Sequence, residues 1–223
     1  MSEGNYSLAS EILYQGHAPK GQDYGSPAAF PLFATTSFTM NSLTQVRQAY
    51  QEGFTYVRTN NPNRESLEEM VSYLEKGEKS LVCSSGMGAI TSTLLALVRP
   101  GDHILCNCYL YGETYDVMTQ LLREFGVESS LVGFDDLDAV AAAVRPNTKL
   151  LYTEVCANPT MNLADIPALA ELAHKNNALL MVDNTFTTAV SIRPLQMGAD
   201  IVISSMTKFM NGFSNAIGGS ITA

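Results

Sequence analysis

The stretch Ala178-Leu179-Leu180-Met181-Val182-Asp183-Asn184-Thr185 decides the fold. Its apolar run ends in a carboxylate and turn-forming residues, without the apolar–polar alternation of a half-exposed strand. A strand that is apolar on both faces belongs in a parallel sheet with helices on each side. Asp200-Ile201-Val202-Ile203-Ser204 repeats the pattern, which predicts another such strand over 201–204. Working outward, helical periodicity over 166–176 opens with Asp165 as N-cap and Pro167 in the first turn. Further upstream, β-rich runs at 80–83, 103–106, 127–132 and 149–154 alternate with helical stretches at 87–97, 114–124 and 137–144, and a last β-like run covers 216–222. The expected fold class is α/β: a mostly parallel sheet with helices on both faces.

The beginning of the chain behaves differently. Gly16, Pro19, Gly21, Gly25, Pro27 and Pro31 interrupt any periodicity before a short helical stretch at 43–51. Residues 1–55 are therefore expected to form an N-terminal arm and residues 56–223 the ligand-binding domain. Within the latter, a helix from about Glu65 puts Leu67, Met70, Val71 and Leu74 on one face, and Gly77 is expected to stop it.

With 46% hydrophobic and 16% charged residues among 223, the chain can bury a core instead of staying disordered. Thirteen basic against 22 acidic residues leave a net charge of −9, which repels phosphodiester backbones and argues against a nucleic-acid partner. No apolar run approaches the ~20 residues that span a bilayer, and residues 1–10 lack the charged and apolar parts of a secretory signal. A cytoplasmic protein with no membrane partner is expected. Cys83, Cys106, Cys108 and Cys156 lie in or beside apolar runs without C-x-x-C spacing, so buried, reduced thiols are expected and no metal site.

Ligands of such sheets bind at the carboxyl ends of the strands, which directs attention to the polar residues there. Ser84-Ser85-Gly86-Met87-Gly88-Ala89 leads from a strand into a helix, and small residues with free first-turn N–H groups form a cup for a phosphate. The same glycines also suit a tight turn needed only for packing. Asp183 at a buried strand end needs a cation or strong donors, although Asp-Asn-Thr is good turn chemistry as well. Ser205-Met206-Thr207-Lys208 sets a lysine between hydroxyls and the end of another buried strand, where an ordinary lysine would be a surface cation. An anion cup, a carboxylate for a cationic ring nitrogen and an amine for an aldehyde together fit pyridoxal 5′-phosphate, PLP.

These residues resemble those of the Cys/Met metabolism group of PLP enzymes, which includes methionine γ-lyase, the cystathionine lyases, cystathionine γ-synthase and O-acetylhomoserine sulfhydrylase. The resemblance runs along Tyr56-Val57-Arg58 with Asn61-Pro62, Ser84 to Met87, Tyr111-Gly112, Glu154 with Ala157-Asn158-Pro159, Val182 to Thr185, and Ser205 to Lys208. It implies the PLP-enzyme large domain of fold type I, with Lys208 as the residue that bonds the cofactor and Asp183 as partner of the ring nitrogen. Tyr111 is implied to stack on the ring and help deprotonate the incoming amine. Ser85, Gly86, Met87, Ser205 and Thr207 are implied at the phosphate, and Asn158 near the phenolic oxygen. Tyr56 and Arg58 are implied to reach the phosphate of a neighbouring subunit, so a homodimer or tetramer would share its sites.

The resemblance implies a carbon–sulfur lyase of sulfur amino-acid metabolism, working by elimination through a ring-stabilised carbanion. A γ-replacement transferase making cystathionine or homocysteine uses the same chemistry and stays open. Glu113 stands where methionine γ-lyases carry cysteine, and Asn215 where aspartate is common. The end of the chain lies within an apolar run, Gly218-Gly219-Ser220-Ile221-Thr222-Ala223, so a fragment lacking a C-terminal domain is expected. A third reading is a non-catalytic fragment that pairs with a full-length subunit. A nucleotide-binding domain is disfavoured, because neither a P-loop nor G-x-G-x-x-G is present.

Overall fold

The computed structural model describes residues 7–12 and 29–223, whose contacts separate two compact units, Met1–Tyr73 and Leu74–Ala223. Gly16, Pro19, Gly21, Gly25 and Pro27 of the expected arm lie outside the described residues. Among the described residues no helix is long and apolar enough to cross a membrane.

The first unit holds α1 (Leu8–Ile12), α2 (Leu43–Glu52) and most of α3 (Pro62–Glu75). Ser42 caps α2, its hydroxyl accepting the Gln45 N–H at 3.1 Å. α3 starts at Pro62, earlier than the periodicity alone indicated. Proline has no N–H to lose at this position, and Asn61 Oδ1 accepts the Asn63 N–H at 2.8 Å. Asn63 then anchors the preceding chain, accepting from Phe33 N and donating to Pro31 O, each at 2.9 Å.

The residue that turns the chain after α3 is not the expected Gly77. Lys76 takes the left-handed conformation, with φ 57°. Gly77 serves close packing instead: a Cβ there would sit 2.3 Å from Thr222 Cγ2.

In the second unit β1 (Ser80–Cys83) leads to α4 (Gly86–Leu97), and β2 (His103–Asn107) to α5 (Gly112–Asp116), a π-helical turn (Val117–Leu121) and α6 (Leu122–Glu124). β3 (Glu128–Val132), α7 (Leu137–Ala143), β4 (Thr148–Glu154) and α8 (Ile166–Lys175) follow. The unit closes with β5 (Leu179–Asp183), α9 (Thr188–Ser191), a 3-10 turn (Pro194–Met197), β6 (Ile201–Ser204) and β7 (Gly219–Thr222). The expected single helix at 114–124 is thus divided by the π-helical turn, and the last β run shortens to four residues.

The strands form one seven-stranded sheet in the order β1-β7-β6-β5-β4-β2-β3. β2, β3, β4, β5 and β6 pair in parallel, whereas β7 lies antiparallel to both β1 and β6. Successive residues alternate between two cores. Ile104, Leu150, Tyr152, Met181 and Ile203 pack with α4 residues Ala89, Ile90 and Leu94. Leu105, Leu151, Leu180 and Val182 pack on the other face with Ile166, Leu169 and Ala173 of α8. Burial on both faces explains the uninterrupted apolar runs, each large side chain contributing roughly 1.5–3 kcal/mol. Of the four thiols, Cys106 and Cys156 are buried; Cys108 is exposed and Cys83 half-buried, because Cys108 falls just past the end of β2 and Cys83 ends β1 beside the sheet edge.

Two buried ionisable groups give the stability a pH dependence. Burial pushes Glu75 up to about 7, against the pull of Asn184 and Arg193; the Asn184 amide is 3.4 Å from both carboxylate oxygens. The folded chain holds this proton more tightly than the unfolded one, so stability is lost as pH rises from about 4.5 through 7. His103, between Thr148 Oγ1 at 2.8 Å and Ser130 Oγ at 3.0 Å, is pushed down to about 4 by burial and then by Arg145. Its contribution has the opposite sign and is lost as pH falls from 6.5 to about 4. Glu75→Gln is expected to leave the acid-side loss intact and to abolish part of the decline between pH 4.5 and 7 in urea titrations. An unchanged profile would show that Glu75 ionises normally in the folded chain.

Candidate active site

The parallel strands end together at one edge, with Glu154 opposite Asp183 and Asp183 opposite Ile203 in register. β7 begins at the same edge, because Gly219 pairs with Cys83 and Ser220 with Ser204. The loops that follow β1, β4, β5 and β6 are consequently neighbours.

After β1, Ser85 caps α4 by accepting the Gly88 N–H at 3.0 Å. The N–H groups of Gly86 and Met87, in the first turn, have no acceptor within the helix and are available to an anion. This turn is pressed against the loop after β6 and the start of β7. A Cβ on Gly86 would lie 2.6 Å from Ser205 Cβ, and one on Gly219 only 2.2 Å from Ser85 O. Glycine is required here by close approach, which also brings the Ser205 hydroxyl beside the helix N-terminus. Thr207 is differently engaged: its hydroxyl donates to Gly218 O at 3.2 Å and accepts from Gly218 N at 3.1 Å.

Asp183 ends β5 in a buried position. Burial raises its pKa, while the Thr185 hydroxyl, the Thr185 amide and the Tyr152 phenol pull it back. Thr185 N donates to Oδ1 at 2.9 Å and Tyr152 OH to Oδ2 at 3.3 Å. Thr185 also ties the two strand ends together, its Oγ1 accepting from Ser205 N at 2.7 Å. The groups that hold Asp183 down are neutral donors, so a cation at this edge would complete it electrostatically.

Tyr152 and Thr114 are part of this edge although the sequence reading passed over them. The Tyr152 phenol is fully buried, and burial keeps it protonated, its pKa well above the ordinary value; Thr114 hydrogen-bonds it from α5. The available signal was position: Tyr152 lies two residues before Glu154 in β4, on the same face, and a buried phenol requires a partner.

Tyr111 stands just before α5 and is 49% exposed. A hydrogen bond to Glu113, followed by burial, raises the pKa of its phenol. Its backbone N–H donates to Glu154 Oε1 at 2.6 Å. Burial pushes the Glu154 carboxyl up to about 7, with Asp183 adding to the rise and the backbone amides of Tyr111 and Asn158 opposing it.

Lys208 lies in the turn after β6, its side chain exposed and its N–H donated to Ser205 O at 3.2 Å. The second unit thus brings Ser85, Gly86, Met87, Tyr111, Asn158, Asp183, Ser205, Thr207 and Lys208 to loops of one sheet edge. Tyr56 and Arg58 belong to the first unit, where the Arg58 guanidinium lies 5.0 Å from the centre of the Tyr56 ring. A separate cavity of about 470 Å³ is lined by residues such as Phe186, Val190, Phe209 and Met210; no titratable side chain lines it, so it offers no acid or base.

The donor set suits PLP: first-turn amides and a serine hydroxyl for phosphate, a carboxylate held by neutral donors for a ring cation, and a lysine on an adjoining loop. Comparison with known proteins agrees. The chain is 41% identical over 223 residues to an L-methionine gamma-lyase of Fusobacterium nucleatum subsp. polymorphum, covering 98% of this chain and 56% of that protein. It is 39% identical to an O-acetyl-L-homoserine sulfhydrylase of Corynebacterium glutamicum, covering 91% of this chain and 48% of the relative. A crystal structure of an O-acetylhomoserine (thiol)-lyase from Campylobacter jejuni, which contains a pyridoxyl-lysine monophosphate, superposes with a TM-score of 0.88 at 26% identity, over 98% of this chain and 54% of that one. The chain spans about half the length of the curated relatives it matches. The model of the Cys/Met metabolism PLP-dependent enzymes matches residues 13–223, and the chain belongs to that family.

Proposed function

We propose that the chain carries the PLP-holding part of a carbon–sulfur lyase acting on sulfur amino acids in the cytoplasm. The observation that supports this best is the convergence of the Gly86 turn, Asp183 and the Ser205–Lys208 loop at one sheet edge. PLP, when bound, supplies an electron sink that lets a proton leave the substrate Cα. Lys208 holds the cofactor through its amine and, once released, moves that proton. Asp183 keeps the ring nitrogen protonated, a role favoured by its neutral donors Thr185 and Tyr152. The amides of Gly86 and Met87, with Ser85, Ser205 and Thr207, hold the phosphate; for Thr207 this requires its hydroxyl to turn away from Gly218 O.

Tyr111 would cover the cofactor ring and Asn158 would lie beside it. The hydrogen bond from Tyr111 to Glu113 raises the pKa of the phenol, and breaking it would free Tyr111 to help deprotonate the incoming amine. Residues 1–55 act as the arm, and Tyr56 and Arg58 serve the phosphate of a second subunit in a homodimer or tetramer.

A transferase is the second reading, favoured by the 39% identity to a sulfhydrylase and by Glu113, which sets a carboxylate where methionine γ-lyases carry cysteine. Incubation of PLP-loaded chain with methionine, and separately with O-acetylhomoserine plus sulfide, divides the readings. A 2-oxo acid and thiol from methionine are expected for the lyase. Homocysteine from the second mixture alone would replace it with the transferase, and no product from either would favour a fragment that only pairs with a full-length subunit.

A further inference from the structure

We propose that Glu154 is a positioning residue whose carboxylate clamps the backbones of Tyr111 and Asn158, fixing from one point two residues that flank the cofactor. The inference rests on the PLP reading for its purpose, but its geometry stands apart from it.

Tyr111 lies beyond the end of β2, outside the sheet ladder that fixes its neighbours, and precedes a helix of only five residues with no side-chain cap. Its half-exposed ring has little core packing to hold it. Gly112, next in the chain, has open space where a Cβ would be. The Tyr111 carbonyl accepts a local bond from Tyr115 N at 2.9 Å, and what ties this backbone to the sheet is the 2.6 Å hydrogen bond from Tyr111 N to Glu154 Oε1, across 43 positions of sequence. Above pH 7, where the Glu154 carboxyl is ionised, charge assistance makes such a bond stronger than one between neutral groups.

Glu154 also reaches forward within its own chain. It ends β4, and the backbone amide of Asn158 lies near enough to its carboxyl to oppose the rise in its pKa. The strand itself is held from the other side, because Val155 N donates to Asp183 O at 3.0 Å. The Glu154 carboxyl therefore ties the loop after β2 to the end of β4, which the backbone bond from Val155 in turn ties to the end of β5. The two backbone amides oppose the rise that burial and Asp183 give the Glu154 carboxyl, so the clamp favours the ionised form.

The test compares the full chain with Glu154→Ala and Glu154→Gln. Amide hydrogen exchange without cofactor reads the clamp directly. In Glu154→Ala, exchange at Tyr111 and Asn158 is expected to accelerate roughly tenfold or more, while Val182 in β5 stays protected. Glu154→Gln keeps an acceptor oxygen and should restore much of the protection. With PLP added, Glu154→Ala is expected to bind about tenfold more weakly, by a charge-assisted hydrogen bond's worth of lost positioning, and to show a weaker visible circular dichroism per bound cofactor; Glu154→Gln should recover both. Unchanged exchange at both amides in Glu154→Ala overturns the proposal. So does loss of protection throughout the sheet, which would make Glu154 merely structural, or a PLP dichroism and affinity equal to those of the parent. If the parent binds no PLP, the functional reading fails, and the exchange rates alone decide whether the clamp exists.

Discussion

Gly219→Ala is expected to destabilise the chain by about 3 kcal/mol and to dismantle the anion cup along with it. A Cβ at this position would lie 2.2 Å from Ser85 O, 2.5 Å from Ser85 C and 2.8 Å from Gly86 N. All three obstacles are backbone, so no rotamer change relieves them. Either β7 leaves its place between β1 and β6 or the N-terminus of α4 moves off the sheet. Both responses separate Gly86 from Ser205, and phosphate binding should fail with the fold. Gly112→Ala is the control, because nothing lies within 4 Å of the Cβ it would add, and its effect should stay within about 0.5 kcal/mol. Urea denaturation of the two variants checks the contrast. Equal midpoints would mean that the approach of β7 to the Ser85 turn is looser than the geometry indicates.

The sequence revealed the sheet where burial leaves a local trace. β5 and β6 are apolar on both faces, so their character needed no knowledge of neighbours. The direction of β7 left no such trace. Its residues read as a strand, but its antiparallel insertion between β1 and β6 depends on partners far away in the chain. The end of α3 was misread for a related reason: Gly77 is a natural helix stop, yet its place is dictated by contact with Thr222, and Lys76 makes the turn. Residues of the edge that carry recognisable chemistry, such as Asp183 and Lys208, were visible from composition and order. Tyr152, Thr114 and the clamp by Glu154 were not, since their roles exist only once β4, β5 and the loop after β2 meet.

The central claim is that Lys208 is the amine at this edge. Asp183 and Ser204 end neighbouring parallel strands, and Lys208 follows Ser204 on an exposed turn tied back to Ser205. Lys79 precedes β1, Lys149 lies near the start of β4 and Lys175 ends α8, positions that belong to the opposite edge. An amine there would approach neither Asp183 nor the first turn of α4. Lys208→Ala should therefore abolish the yellow chromophore completely while leaving the helix content nearly unchanged, because the lost side chain is exposed and packs in neither core.

The most direct measurement is to load the chain with PLP, reduce it with borohydride and map the pyridoxyl group by peptide mass spectrometry. The adduct is expected on the peptide containing Lys208, and to disappear in Lys208→Ala. An adduct on any of the other five lysines in the parent chain, or a chromophore that survives the substitution, would contradict the account.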